Sequence, residues 1–487
     1  MLSRTGLTSL TSSAQDADGV PSAGIPEQRP GASERARLLE LRRLFRMVGA
    51  DRALTFAAME NVSAIVIGAF TALLVATRFS SVVQGYYYSF TGLAIVPTVV
   101  EFGLGQALIQ FASHEKSRFK LDKNGNLVGE WEALSRLASL GRIGARWYGL
   151  GAPVITLLLV AIGYIFFGST AEYQVAWRGP WISLCVMSGL NYSILPAFYL
   201  LQGCNEVAEF WYYRLILRIL SGVVAWVVIL LGGGLWCLPA LMLCTFVWSI
   251  WFLVRHYRSF VAALMAPPKS VRFNWRADLW PLQRLIAVTW SSDYLAGALL
   301  VPVLFRVCGP IIAGQMGLTR TMALIVIALS TSWVTTKAPG FGILAAQRKL
   351  AELKALFRKS IAMSILTAVT GATAAWTLTY YLHSSGRTLA HRLLPSGATA
   401  LFMSAAVLEC VLADLVLYLR AQKREPLAAG YAVCRPLAIV FSALFAARFG
   451  GLGAALGYFV AVGVLQFPWS IFVFQVQAGT AQSSGPV

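Results

Sequence analysis

Charge is what this sequence has least of. Of its 487 residues 13% are Asp, Glu, Lys or Arg and 57% are apolar, which leaves too little polar surface to cover soluble domains of that length. The mean hydropathy of +0.66 agrees, and a bilayer must be the main solvent. Acid is scarcer than base, 21 residues against 40, for a formal charge of +19. Such an excess is the usual footprint of nucleic-acid binding. Here the Lys and Arg residues instead collect in alternate connections between apolar runs, as in membrane proteins that obey the positive-inside bias, and no groove-reading module is present. No nucleic-acid partner is expected. Histidine is nearly absent: His114, His256, His383 and His391 are dispersed, and His114-Glu115-Lys116-Ser117-Arg118 is not the HExxH pattern that sets two ligands on one helix face. The seven cysteines, Cys185, Cys204, Cys237, Cys244, Cys308, Cys410 and Cys434, stand singly in or near apolar runs without a CxxC pair. They read as small core residues, so neither a metal nor a cofactor is expected. Residues 1–32 lack the apolar core of a signal peptide and are rich in Ser, Thr, Ala, Gly and Pro, as a disordered tail is.

Apolar runs of about 20 residues, each long enough as a helix to cross ~30 Å of hydrocarbon, are what the sequence has in abundance. Twelve are expected, at 56–77, 85–109, 149–168, 181–202, 211–231, 235–254, 286–305, 311–336, 359–382, 397–419, 427–447 and 450–474. The fold class is therefore an all-α integral membrane protein of about twelve transmembrane helices. The tail and the connections after spans two, six, eight and ten are the basic ones, while that after span four offers Glu206 and Glu209 and no Lys or Arg before Arg214; the bias puts both termini in the cytoplasm. Leu38, Leu41, Leu44, Phe45 and Val48 share a stripe with Arg35, Arg42, Arg43 and Arg46 largely outside it, the pattern of a helix lying on an anionic leaflet. A charged segment after span six divides the spans equally. The expected organisation is a cytoplasmic tail (1–32), an interfacial helix (33–52), a six-helix lobe (53–258), a cytoplasmic linker (259–285), a second six-helix lobe (286–475) and a short cytoplasmic tail (476–487). The stretches 110–148 and 255–285 mix basic residues with Trp and Phe, as membrane-surface helices do. Tyr86-Tyr87-Tyr88 at a span end suits an interfacial aromatic belt. The outer connections are short, which argues against an enzyme acting on an external acceptor.

A charge at mid-bilayer costs ~2.5–3.5 kcal/mol on insertion scales and normally marks a wet cavity or a partner. Glu60 and Asp293 fall about two turns into spans one and seven, while Glu101, Arg320, Glu409 and Arg435 lie deeper. Arg214 and Arg218 share a face of span five. Arg214 and Arg306 suit snorkelling to an interface. Arg320, far from both ends of its span, reads as cavity-lining, and Arg218 and Arg435 read either as cavity-lining or as internally ion-paired with Glu409, Asp414 or Glu101.

The segment Glu101-Phe102-Gly103-Leu104-Gly105-Gln106-Ala107-Leu108-Ile109-Gln110-Phe111-Ala112-Ser113-His114-Glu115, which closes span two and enters a basic loop, resembles the polysaccharide-biosynthesis exporters. These are the O-antigen and lipid-linked oligosaccharide flippases of the multidrug/oligosaccharidyl-lipid/polysaccharide exporter superfamily. Within it, Glu101, Gly103, Gly105, Gln106, Gln110, His114 and Glu115 are the family-like positions. The resemblance implies two six-helix lobes around a central cavity in a bacterial inner membrane. It implies alternating access that carries an undecaprenyl-diphosphate-linked oligosaccharide to the outer leaflet for O-antigen, capsule or exopolysaccharide assembly, with membrane lipids and polysaccharide-assembly proteins as partners. Arg320, Arg218 and Arg435 are then the candidates for the diphosphate, because guanidinium forks match phosphate oxygens. Glu60, Asp293, Glu101 and Glu409 are candidates for ion coupling or for orienting those arginines. A multidrug-type exporter of small molecules and an integral-membrane polymerase or ligase are the alternatives.

Overall fold

A computed structural model describes residues 52–121, 127–168, 174–204, 207–266, 280–422 and 425–483, with the side chains of 52–54, 117, 120–121, 207, 281–296 and 477–483 outside the description. The expected tail 1–32, the interfacial helix 33–52 up to its last residue, the middle of the linker 259–285 and the final four residues of the tail 476–487 lie outside the described residues.

The first span is α1 (Arg52–Arg78). The second is a broken rod: α2 (Ser81–Leu93), α3 (Val96–Val100) and, bent by 47° from these, α4 (Leu104–Glu115). Spans three to six are α5 (Trp131–Phe167), α6 (Arg178–Gly203), α7 (Val207–Leu230) and α8 (Cys237–His256). A short helix, α9 (Arg258–Met265), follows. The helix α10 (Trp280–Thr335) is 56 residues long, far beyond what ~30 Å of hydrocarbon needs at 1.5 Å per residue. It is in fact a helical hairpin. Gly309, at φ 83°, ψ 175°, leaves the helical region, and the Arg320 side chain lies against Gly297, which only a reversal between them allows. Spans seven and eight are its two arms, 280–308 and 310–335. After α11 (Ala338–Ala346), spans nine and ten are α12 (Leu350–Ser384) and α13 (Ser396–Ala421). The helix α14 (Ala428–Phe459) likewise breaks at Gly450, φ 56°, and Gly453 and Gly457 pack onto the backbone of Phe445 and Phe441, again two antiparallel arms. Its second arm runs through a π-helical stretch, Val460–Gln466, into α15 (Phe467–Ser483).

Among the described residues, length and hydropathy give nine apolar stretches plus the bent pair in span two, and the two glycine reversals turn these into twelve crossings. The even number sets Arg52 and Ser483 on one face, here the terminal face. The connections at 79–80, 231–236, 309, 385–395 and 450, and the ends 168 and 174–177 of the one after span three, lie on the opposite, loop face. Apolar side chains point outward along the spans, with Leu150, Leu157, Ile165, Leu231 and Phe472 all exposed, as suits helices whose backbone polar groups are satisfied internally and whose surroundings are lipid.

Two expectations are corrected. The stretch 110–148 is not a membrane-surface helix. Its first part extends α4, a two-stranded hairpin follows with β1 (Phe119–Leu121) antiparallel to β2 (Leu127–Gly129), and from Trp131 onward the chain is already in α5, whose 37 residues overrun the bilayer on the terminal face. Tyr86, Tyr87 and Tyr88 are not a belt, because all three are buried. Tyr86 packs edge-on to Phe305 at 4.8 Å and beside Phe167 at 5.5 Å. The cause is the tight seating of α2 on α10. A Cβ at Gly85 would strike the Pro310 backbone, one at Gly314 would lie 2.9 Å from the Gly85 nitrogen, and Gly317 abuts the Tyr88 ring. Small residues let membrane helices approach this closely where no hydrophobic force between them exists. Otherwise α1 packs on α7, α5 and α4 on α6, and α7 on α8, while in the second half α10 packs on α14, α12 and α13.

Candidate functional site

The arginines expected at one centre fall into two clusters. In the first six spans, Arg218 donates from Nη2 to Glu60 Oε1 at 3.0 Å and Arg214 reaches the same oxygen at 3.4 Å. Residues 214 and 218 are one turn apart on α7, and α7 packs along α1, so both forks meet a single carboxylate. Glu60 is buried, whereas the two arginine side chains are about 40% exposed. Arg214 also lies over the rings of Phe210 and Trp211, 5.9 and 5.3 Å from their centroids, a cation–π contact. Arg214 thus has one carboxylate and two aromatic rings as partners.

The second cluster lies in the last six spans. Arg435 donates to Glu409, and the Tyr458 hydroxyl donates to the same Glu409 oxygen at 2.7 Å. Arg435 also reaches the Tyr458 oxygen at 3.3 Å and sits over the Tyr431 ring at 5.2 Å. Arg320 is within electrostatic reach of Glu409, Tyr458 and Arg435. Of the pairings open to Arg435, the carboxylate it takes is Glu409. Both side chains of that pair are 13% exposed, and Glu409 stands roughly 20 Å along α13 from Ser396 at ~1.5 Å per residue, close to mid-membrane. The π-helical stretch begins two residues beyond Tyr458; such stretches commonly sit at functional sites because they re-aim side chains. Among the described side chains the first cluster sets two guanidinium groups against one carboxylate, and the second bonds Arg435 to Glu409 with Arg320 nearby but not bonded to either.

The family-like segment holds a different arrangement. Phe102 (φ 49°) and Gly103 (φ 71°) take the left-handed conformation and break span two. Gly103 offers no side-chain cap to α4, and the Glu101 carboxylate supplies one, accepting from the Gly105 nitrogen at 2.8 Å and from the Tyr199 hydroxyl at 3.2 Å. A Cβ at Gly105 would strike both Glu101 and Tyr199. Glu115 closes the segment in an ion pair with Arg136 at 3.1 Å, while Gln106, Gln110 and His114 form an exposed polar stripe on α4. The Asp293 side chain lies outside the described residues.

Reading for charge alone misses three participants. Tyr458 and Tyr199 are uncharged and sit in apolar runs, with nothing local to mark them. The third is a strap on the loop face. Gln84, buried on α2, donates from Nε2 to the carbonyls of Gly314 at 2.9 Å and Arg392 at 3.0 Å, and Arg392 Nη1 donates to Ser81 Oγ at 3.0 Å. Gln315 adds a bond to the His391 carbonyl at 3.1 Å. Partial burial pulls the Arg392 guanidinium below its ordinary pKa, though it stays charged at neutral pH. The strap ties span two to span eight and to the 385–395 connection, and thereby closes the loop face between the two halves of the chain. Among the described residues no group of three or more His, Cys, Asp or Glu is placed to hold a metal ion.

Neither protein-family models nor curated protein sequences match the chain. Solved structures do. The chain is similar to the lipid II flippase MurJ in an inward closed conformation (TM-score 0.59, 13% identity, covering 86% of this chain and 87% of that one). It is also similar to a point mutant of the Vibrio cholerae MATE transporter VcmN (TM-score 0.53, 10% identity, 88% and 97%). A third likeness is to a MATE protein in complex with MaD3S (TM-score 0.52, 13% identity, 87% and 96%). At these identities the likeness is one of fold, extending over nearly the whole of each chain.

Proposed function

We propose that this multi-pass membrane protein is a flippase for a lipid-diphosphate-linked oligosaccharide, moving its head group between leaflets by alternating access of two six-helix lobes. The observation that carries the reading is the charge balance, among the described residues, of two clusters within the spans: Arg214 and Arg218, partly exposed, on buried Glu60, and Arg435 on Glu409 with Arg320 nearby. A sugar head bearing a diphosphate cannot cross hydrocarbon unaided. It needs a wet, cationic path while its isoprenoid tail stays in lipid, and buried guanidinium groups in excess of carboxylate offer such a path at the cost that makes intramembrane charges rare elsewhere. Glu60 holds Arg214 and Arg218, and Glu409 holds Arg435, in place, and each pairing leaves guanidinium donors over for a phosphate oxygen. The fold shared with a lipid II flippase is consistent with this chemistry. In the same reading the termini face the cytoplasm of a bacterial inner membrane, and the closed strap on the loop face makes this an inward-directed state.

A multidrug-type exporter is the second reading, favoured by the likeness of fold to MATE transporters; a cationic cargo would want carboxylate in excess, the reverse of what both clusters hold. The test is leaflet-resolved transport of a labelled undecaprenyl-diphosphate oligosaccharide in proteoliposomes, native protein against Arg320→Ala at matched insertion. Transport by the native protein and its loss in the variant support the proposal. Transport that survives the substitution removes Arg320 from the path, and efflux of a cationic dye without glycan transport favours the exporter.

A further inference from the structure

Helix α9 runs back along the terminal face and roofs a groove that the transport reading leaves unused. The groove is about 400 Å³ in volume and is lined almost wholly by apolar groups from α5, α6, α8 and α9, among them Ala145, Ala197, Val254 and Val261, within the range of about 300–1,000 Å³ in which proteins hold organic ligands. It is preformed. Phe260 and Leu264 of α9 are buried, a Cβ at Gly141 would lie 2.8 Å from the Leu264 Cβ, and Arg142 clamps the helix end by donating from Nε and Nη2 to the Met265 carbonyl at 3.2 and 3.1 Å.

Its rim is cationic. Arg258 itself lines the groove, Arg142 is fixed at its edge, and Arg146 and Arg255 adjoin the lining residues Ala145 and Val254. No Asp or Glu occurs in 141–146, 193–200 or 250–265, and Arg146, Arg255 and Arg258 make no ion pair among the described residues. A concave apolar slot with Arg258 in its lining and Arg142 bonded at its edge fits an amphiphile made of an acyl chain and a phosphate.

We propose that the groove between α5, α6, α8 and α9 is a binding site for an anionic membrane phospholipid, one acyl chain in the slot and the phosphate against Arg258. Binding would fasten α9 and the terminal ends of spans three, four and six together, and so couple the protein to the composition of that leaflet. Each basic residue near a membrane surface contributes about fivefold to anionic-lipid affinity, corresponding to ~1 kcal/mol. The test is native mass spectrometry of the purified full chain, delipidated and then offered phosphatidylglycerol, phosphatidylcholine of matched chains, or undecaprenyl phosphate. The expected result is one retained phosphatidylglycerol in at least fivefold preference to phosphatidylcholine. That preference falls about fivefold in Arg258→Gln, and retention of either lipid is lost in Val254→Trp, which fills the slot from an exposed position. Equal retention of the two diacyl lipids by the native protein overturns the proposal without recourse to any variant. So does stronger retention of undecaprenyl phosphate, or undiminished retention by a Val254→Trp protein that elutes as a single folded species.

Discussion

Replacing Glu409 by glutamine removes the only carboxylate shown facing Arg320 and Arg435 while keeping the shape of the side chain. The Arg435 side chain is 13% exposed and Arg320 lies within electrostatic reach of it, so the variant leaves two guanidinium groups near mid-membrane with only the Tyr458 hydroxyl and the new side-chain amide as neutral partners. Removing one member of a buried ion pair costs ~3–5 kcal/mol, most of it the penalty of the uncompensated charge. Because the cluster holds two arginines to one glutamate, the consequence is asymmetric. Arg435→Met leaves Arg320 as the guanidinium nearest Glu409 and is expected to cost about 1.5–3 kcal/mol, the scale of hydrogen bonds to a charged group. The double variant, with one unpaired arginine instead of two, should be more stable than Glu409→Gln alone, a coupling of the size that close charged neighbours show in double-mutant cycles, about 0.5–3 kcal/mol. The assay is denaturant unfolding of the four proteins in detergent micelles, followed by tryptophan fluorescence. Equal costs for Glu409→Gln and Arg435→Met, or a cost below about 1 kcal/mol for Glu409→Gln, would refute the claim that Glu409 neutralises two arginines.

The strap predicts a conformational effect. Gln84→Leu removes both bonds to the Gly314 and Arg392 carbonyls, each lost partner costing ~1–3 kcal/mol where the carbonyl stays buried, and should open the loop face; a cysteine placed at Ser81 then reacts faster with a membrane-impermeant maleimide, and an unchanged rate counts against the strap. Glu101 separates capping from ion coupling: Glu101→Gln keeps an acceptor for the Gly105 nitrogen and should leave stability within about 1 kcal/mol, whereas Glu101→Leu should lose about 0.5–2 kcal/mol, as an absent helix cap does. Transport abolished by Glu101→Gln in a protein of native stability would show that the carboxylate does more than cap α4.

Much of the fold was legible because hydrocarbon imposes a length and a polarity on each crossing regardless of its neighbours. Eleven of the twelve expected runs begin within about ten residues of an observed helical arm, while span three starts far earlier because α5 continues as an amphipathic helix beyond the bilayer, where hydropathy no longer marks it. The reversals at Gly309 and Gly450 follow from run length alone. The candidate site was legible as an inventory, since a charge in an apolar run is conspicuous, but its partition was not: nothing local says that Arg218 meets Glu60, 158 positions earlier, while Arg435 meets Glu409, 26 positions earlier.

What the sequence by itself determined is therefore the solvent, the number of crossings and the list of intramembrane charges, because each follows from the transfer free energy of a segment or side chain taken alone. Which charges pair, that Tyr86 to Tyr88 are core rather than belt, and that Glu101 caps a broken helix were decided only by tertiary structure. Those outcomes depend on which helices lie side by side. In lipid that choice is made by close-packed small residues such as Gly85, Gly314 and Gly317 and by buried polar contacts between spans, neither of which leaves a periodic trace along the chain.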